Sequence, residues 1–303
     1  MQRGKRTDDG GTLMEREGLG LPWFEVEERI RQALREDMPD GDITTESIVG
    51  SDALGQVELI CKEDGILCGL PVFHRVFLMI EPKVQMVTTL GDGAEVSSGQ
   101  VVAVLHGPLR ALLSGERTAL NFLQRMTGIA TMTREWSTLL EDTGTRLIDT
   151  RKTTPNMRAF EKYAVRVGGG QNHRSGLSDG ILIKDNHIAA AGSIGNAVSR
   201  ARKANSFQRK IEVETESLEM VKEALEARAD IIMLDNMEMG VMKEAIRMIG
   251  GRALTECSGN VTKKRIPELA GLGLDFISCG ALTHSARICD FSMKHLRRGE
   301  ICD

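Results

Sequence analysis

The chain has 303 residues, of which 41 % are hydrophobic, 27 % charged and 4 % aromatic, and its formal net charge is −4 at pH 7. That balance excludes a disordered or fibrous chain, and the length accommodates about two ordinary domains or one large α/β barrel with an appendage. A slightly acidic chain this poor in rings offers neither a polycationic surface nor a stacking platform, so no nucleic-acid partner is expected.

The first twenty residues, MQRGKRTDDGGTLMEREGLG, hold no apolar segment of the kind a signal peptide needs, and residues 1–23 read as a flexible tail. No run reaches the roughly 18 apolar residues of a membrane helix. The six cysteines (Cys61, Cys68, Cys257, Cys279, Cys289, Cys302) show neither a C-x-x-C pair nor a metal-ligand spacing with histidine. Free thiols, a reducing and cytoplasmic setting, and no membrane association are the expectation.

Residues 24–37 place Phe24, Val26, Ile30, Ala33 and Leu34 at helical spacing, and Pro39 and Gly41 then break the helix. Between 56 and 105 the runs QVELIC, PVFHRVFLMI, VQMVTTL and QVVAVLHG read as strands and one helix separated by glycine turns, a small mixed α/β layer. Residues 108–141 have helical periodicity, with an interruption expected near Gly128.

Beyond residue 145 strands alternate with helices, the mark of parallel βα units. The strand candidates are 146–150, 181–184, 211–215, 231–236, 253–257 and 276–280. Six such units suit a barrel with one further strand or an open doubly wound sheet, and the barrel is the favoured reading. In a parallel barrel all strands deliver their C-terminal ends to one face, where reactive groups gather. Here those ends carry Arg151 and Lys152, then Lys184, Glu214, Asp235, Ser258 with Gly259, and Gly280.

Between residues 146 and 187 eight Lys/Arg stand against four acids, a local excess of four positive charges on a chain of net charge −4. An anionic ligand is implied. Arginine offers a planar fork to carboxylate or phosphate and lysine a movable point charge. The glycine run Gly168–Gly170, followed by His173 and Arg174, and the turn Ser258-Gly259-Asn260 would let main-chain N–H groups approach an anion closely. Glu214 and Asp235 suit ribose hydroxyls or a divalent cation such as Mg²⁺ bridging to a pyrophosphate, and they equally suit helix N-termini. Arg117 alone reads as a surface helix residue; His74, His106, His187, His284 and His295 read as structural, and the methionines as core filler.

With these residues in view, the sequence resembles the quinolinate phosphoribosyltransferases. The resemblance covers about residues 28–295 and is carried by EDMPDGDITT, GERTALNFLQRMTGIAT, DTRKTTP, VGGGQNHRSGLSDGILIKDNH, IEVETE, MLDN, ECSGNV and ISCGALTHS, in that order. It implies an α/β protein with an N-terminal α/β open sandwich domain at 24–127, joined by residues 284–303, and an incomplete, seven-stranded α/β barrel at 128–283. The implied activity transfers phosphoribosyl from phosphoribosyl pyrophosphate to quinolinate with decarboxylation, in NAD biosynthesis. It also implies Mg²⁺ at Glu214 and Asp235, directly or through water, and a homodimer or higher homo-oligomer in which Arg117 reaches a neighbouring subunit's site.

Residue by residue, Lys152, Lys184, Glu214 and Asp235 match catalytic positions of that family. Arg117, Arg151, Lys152, His173, Arg174 and Lys184 match positions that hold quinolinate and the sugar phosphates, Glu214 and Asp235 those at the ribose, and Ser258, Gly259 and Gly280 the 5-phosphate loops. Asn260 departs from the pattern, standing where the family commonly has a second glycine; asparagine tolerates the left-handed backbone such a loop needs. The alternatives are a related phosphoribosyltransferase for another ring, a barrel lyase forming a Schiff base at Lys184, and a non-catalytic anion-binding protein.

Overall fold

The computed structural model describes Gly20 and residues 23–299. The tail expected at 1–23 therefore lies outside the described residues except for Gly20 and Trp23, and Trp23 is the first residue of helix α1 (Trp23–Asp37). Val26, Ile30 and Leu34, spaced by four, form its buried stripe. Helix α2 (Ile43–Ile48) is capped by Asp42, whose carboxylate accepts the Thr45 N–H at 3.0 Å and the Ser114 hydroxyl at 2.9 Å. No described helix is long and apolar enough to cross a membrane.

Strands β1 (Leu54–Cys61), β3 (Gln85–Val87), β5 (Val101–Pro108) and β12 (Phe291–Arg298) form one antiparallel sheet in the order β12-β1-β5-β3. Strand β1 buries every second residue, as a sheet with one covered face requires. A two-stranded ribbon of β2 (Gly65–Ile66) and β4 (Glu95–Val96) stands beside it. Helix α3 (Leu70–Ile80) packs against α4 (Leu109–Ser137), which in turn lies on β1, β5 and β12. The chain's last described strand thus edges a sheet whose other strands lie between Leu54 and Pro108.

Helix α4 runs without a break through Gly128, contrary to the interruption expected there. The glycine serves packing instead. A Cβ at that position would stand 1.8 Å from the Arg287 carbonyl oxygen, so a crossing backbone excludes any side chain. Gly115 plays the same part nearer the N-terminus, against the Phe77 ring.

The remaining strands are β6 (Arg146–Ile148), β7 (Ile181–Ile183), β8 (Ile211–Thr215), β9 (Ile231–Asp235), β10 (Leu254–Ser258) and β11 (Phe276–Ser278). They form one parallel sheet in the order β6-β11-β10-β9-β8-β7. The first strand pairs with the last and every other neighbour is sequential, which is the cyclic order of a barrel and not that of a doubly wound sheet. Helices between the strands, among them α5 (Arg158–Val167), α7 (Ile194–Ala204), α8 (Leu218–Glu226) and α9 (Met239–Ile249), cover its outer face.

The ring is open between β6 and β7. Where a seventh strand is expected, Gln171 alone bridges to Ile148: its N–H donates to the Leu147 carbonyl at 2.8 Å and its carbonyl accepts the Asp149 N–H at 3.1 Å. The segment extends no further as strand because Gly168–Gly170 make a turn just before it. Asn172 just after it is turned to the Asp149 carboxylate (2.6 Å) and the Lys162 carbonyl (2.9 Å).

Candidate active site

The loop after β6 carries Arg151 and Lys152, both exposed, on a frame fixed from below. The Lys152 N–H donates to Thr150 Oγ1 at 3.0 Å, and its carbonyl accepts the Thr283 hydroxyl at 2.8 Å. Two residues on, the Thr154 N–H donates to Glu161 Oε2 at 3.0 Å. Glu161 is wholly buried and pairs with Arg125 of α4 at 2.8 Å. Arg125 also donates to the Thr283 and Ala286 carbonyls. One guanidinium therefore ties the long helix, the cation loop and the segment after β11 together. Buried charge is tolerable here because each partner is satisfied several times over.

The excess of cations read from the sequence is only partly available at the mouth. Lys162 is buried against Asp149 at 2.5 Å and also donates to the His173 carbonyl at 2.9 Å. Arg158 bonds Thr153 Oγ1 and the Ser175 carbonyl, and Arg166 bonds Asn172 Oδ1. Asp149, fully buried, accepts in addition from Asn172 and from the His173 N–H at 2.8 Å. Burial pushes its pKa up, against the pull of Lys162 and these donors. These groups build the walls and Arg146 stands exposed at the opposite end of β6, leaving Arg151, Lys152, Arg174 and Lys184 for a ligand.

Lys184 follows β7 and meets Glu214 Oε2, on the end of β8, at 2.5 Å. Glu214, Glu216 and Asp235 each bring a carboxylate oxygen within 4.8 Å of the others. Such hard oxygen donors fit Mg²⁺, which keeps most of its waters and takes one or two protein carboxylates. Asp235 Oδ2 accepts from Asn236 at 2.7 Å, and Asn236 Oδ1 accepts from Asn260 at 3.0 Å. Gly259 has φ +88°, and a Cβ there would lie 2.1 Å from Asn236 Oδ1. Asn260 adopts φ +50°, the left-handed conformation expected of it, and its side chain is used as well as its backbone. At Gly280 a Cβ would stand 2.8 Å from Lys152 Cδ and 3.2 Å from the His284 ring, so the lysine stem lies across the glycine.

His173 and Arg174 follow the Gln171 bridge. Arg174 donates to the Gly180 carbonyl at 2.9 Å, while its Nε is buried without a partner. Burial, and then the nearby Arg151 charge, hold its pKa below the usual guanidinium range. His173 Nε2 lies 3.0 Å from Glu212 Oε2 and 3.6 Å from Glu256 Oε2, both buried carboxylates. With Ile148, Ile231 and Phe276 these four side chains line a cavity of 350 Å³ beneath the mouth, beside the gap in the ring.

Glu212, Glu216, Glu256 and Asn236 were not singled out by the sequence reading, and His284, which lies against Gly280, was read as structural. A period-two count would have found the first and third: Glu212 lies two residues before Glu214 and Glu256 two before Ser258, on the same inward faces. Arg117, by contrast, is exposed on α4, and among the described residues its side chain makes no hydrogen bond or ion pair. Arg151 likewise makes no hydrogen bond or ion pair among the described residues, but its charge lies near Arg174, whereas that of Arg117 lies near Glu116. His187, read as structural, accepts the Lys184 N–H at 3.0 Å and so starts helix α6 (Asp185–Ala191).

A ring of parallel strands that delivers three cations, three neighbouring carboxylates and two glycine turns to one mouth, with Arg174 lining the cavity beneath it, defines an α/β-barrel enzyme built for anionic substrates. Residues 129–294 match the model for the C-terminal domain of quinolinate phosphoribosyl transferase, and residues 42–127 match that for its N-terminal domain. A probable nicotinate-nucleotide pyrophosphorylase (carboxylating) of Bacillus subtilis is 46 % identical over 258 residues, covering 85 % of this chain and 89 % of its own. NadC from Streptococcus pyogenes superposes with a TM-score of 0.89 at 46 % identity, over 93 % of this chain and 100 % of that one. The nicotinate-nucleotide pyrophosphorylase from Francisella tularensis gives 0.87 at 38 % identity, over 92 % and 98 %. The chain belongs to the quinolinate phosphoribosyltransferase family.

Proposed function

We infer that the protein is a nicotinate-nucleotide diphosphorylase (carboxylating): it transfers phosphoribosyl from phosphoribosyl pyrophosphate to the quinolinate nitrogen, yielding nicotinate mononucleotide, pyrophosphate and CO₂. The observation that carries the reading is that Lys152, Lys184, Glu214 and Asp235 stand at the C-terminal ends of parallel strands of one ring, with Lys184 on Glu214 and the Lys152 stem across Gly280, in a chain of this family.

Both substrates are polyanions, and both must lose water to react. Each charge-assisted hydrogen bond from a lysine or arginine contributes about 1.5 to 3 kcal/mol, so several converging cations offset that desolvation. In this reading Arg151, Lys152 and Arg174 hold the quinolinate carboxylates, and Lys184 stands at the reacting centre. The turns at Ser258-Gly259 and Gly280 receive the 5-phosphate on main-chain N–H groups, with Asn260 standing in for glycine. Glu214 and Asp235 hold the ribose hydroxyls and, with Glu216, Mg²⁺; the ion when bound supplies charge neutralisation for the departing pyrophosphate.

The anomeric carbon passes through an oxocarbenium-like state as pyrophosphate leaves, and the aligned pyridine nitrogen captures it. No general base is needed, because that nitrogen carries a lone pair and no proton. Once alkylated, the ring is a pyridinium. The carboxylate adjacent to the nitrogen then departs as CO₂, and the positive ring stabilises the carbanion until a proton from solvent replaces it. The protein's part is electrostatic placement. The working state of this reading is a cytoplasmic homodimer or larger homo-oligomer that brings a partner's Arg117 to each mouth.

Purified protein incubated with quinolinate, phosphoribosyl pyrophosphate and Mg²⁺ is expected to release CO₂ and nicotinate mononucleotide in equal amounts. Consumption of nicotinate instead, without CO₂, would assign it to a related transferase for another ring.

A further inference from the structure

The cavity beneath the mouth holds a cluster that the mechanism above leaves unused. Its centre is His173, whose ring nitrogens are both engaged. Nδ1 accepts the main-chain N–H of Arg174 at 2.7 Å. A ring nitrogen that accepts a hydrogen bond carries no proton, so the neutral imidazole has its proton on Nε2. That nitrogen faces Glu212 Oε2 at 3.0 Å and Glu256 Oε2 at 3.6 Å.

The two carboxylates come from β8 and β10, one layer beneath Glu214 and Ser258, and are 4 % and 2 % exposed. Glu212 Oε1 and Glu256 Oε1 have no hydrogen-bond partner. Two acids this close in one dry layer do not both ionise readily. Burial, reinforced by the Glu212 charge, pushes the Glu256 pKa well above the usual carboxylate range. Both carboxylates therefore offer acceptor oxygens to the His173 Nε2–H.

The same three groups lie within 4.8 Å of one another and resemble a metal-ligand set. A metal at Nε2 would require the ring proton on Nδ1, where it would point at the Arg174 N–H. The geometry therefore suits a proton between His173 and Glu212, not a metal ion.

We propose that Glu212 and Glu256 are positioning residues: they hold His173 as its Nε2–H tautomer, and His173 through Nδ1 fixes the turn that aims Arg174 at the pyridine substrate. The quinolinate reading enters only through the identity of the anion that Arg174 meets. Arg174 is pinned at both ends, by its N–H on Nδ1 and by Nη1 on the Gly180 carbonyl, with Nε left unbonded.

The test has two arms. In the ¹⁵N spectrum of the full-length protein, with His173→Gln for assignment, His173 should show a protonated Nε2 and a bare, accepting Nδ1. A proton on Nδ1, or on both nitrogens, would overturn the proposal whatever the enzyme's substrate. In steady-state kinetics Glu212→Ala should raise KM for quinolinate about tenfold, the scale on which a partner that orients a binding group acts. The kcat and the KM for phosphoribosyl pyrophosphate should stay within about twofold of the parent. Glu212→Gln keeps an acceptor for Nε2–H and should restore KM. Glu256→Met, which roughly conserves volume but offers Nε2–H no acceptor, should shift KM in the same direction as Glu212→Ala and serves where the alanine variant does not fold. A fall in kcat with unchanged KM, or no rescue by glutamine, would refute the positioning role. An inactive parent enzyme would sink the quinolinate reading alone, since the spectrum decides the tautomer independently.

Discussion

Asp149 and Lys162 show how a residue's role depends on what the fold does around it. In sequence both belong to a charge-rich loop region, and Lys162 counts toward an anion-binding patch. In the structure the two are buried against each other, and Asp149 also receives the His173 N–H and the Asn172 amide. Removing one partner of a buried pair leaves an uncompensated charge, at a cost of about 3 to 5 kcal/mol. Asp149→Asn is accordingly expected to lower unfolding stability by that amount, while Asp149→Asn combined with Lys162→Met should recover much of the loss. Urea unfolding of the parent, Asp149→Asn, Lys162→Met and the double variant checks it; additive single losses would show that the pair is not coupled. The strand-end cations were legible because strand ends follow from periodicity. Lys162 was misread because its burial depends on α5 packing beneath the β6 loop, a contact between segments that a local reading does not see.

At the scale of elements, the six parallel strands were found within two residues of their bounds, since buried βα units print both the apolar run and the polar residue that ends it. The ring's gap was less visible. Gln171 forms a single bridge, too short for any hydrophobic pattern, and its strand character comes wholly from two hydrogen bonds to the β6 segment. Helix α4 was misread for the opposite reason: a glycine in a helical pattern looks like a break, and only the crossing chain at Arg287 explains it. Gly128→Ala would gain roughly 1 kcal/mol of helix propensity. The added Cβ would meet backbone atoms, which cannot rotate away as a side chain can, so overpacking of about 1 to 3 kcal/mol or more should win. Gly240, inside α9 with nothing within 4 Å of an added Cβ, is the control. Gly128→Ala should lower the thermal midpoint and Gly240→Ala should hold or raise it; a rise in both would remove the packing role assigned to Gly128.

The whole molecule is organised around α4, which begins on the N-terminal sheet and reaches the barrel through Arg125 and its bond to Glu161. Arg117 sits eight residues earlier, about 12 Å up the helix axis at 1.5 Å per residue. There its neighbours are the charges of Glu116 and, across from that residue, Lys294 of β12, not those of the mouth. An exposed arginine so placed can serve a site only where another chain brings a mouth to it, as the family resemblance implies. Symmetry makes this testable, because in a closed oligomer each mouth would take its Arg117 from a neighbour. Arg117→Ala and Lys184→Ala chains, each inactive alone, should regain activity when mixed and allowed to exchange subunits. In a mixed dimer one mouth carries both lesions and the other carries neither. Random pairing of equal amounts therefore yields about one quarter of the parental site activity. Recovery near that level supports a shared site, whereas mixtures that stay inactive after demonstrated subunit exchange would confine the site to one chain and leave Arg117 a surface residue of α4.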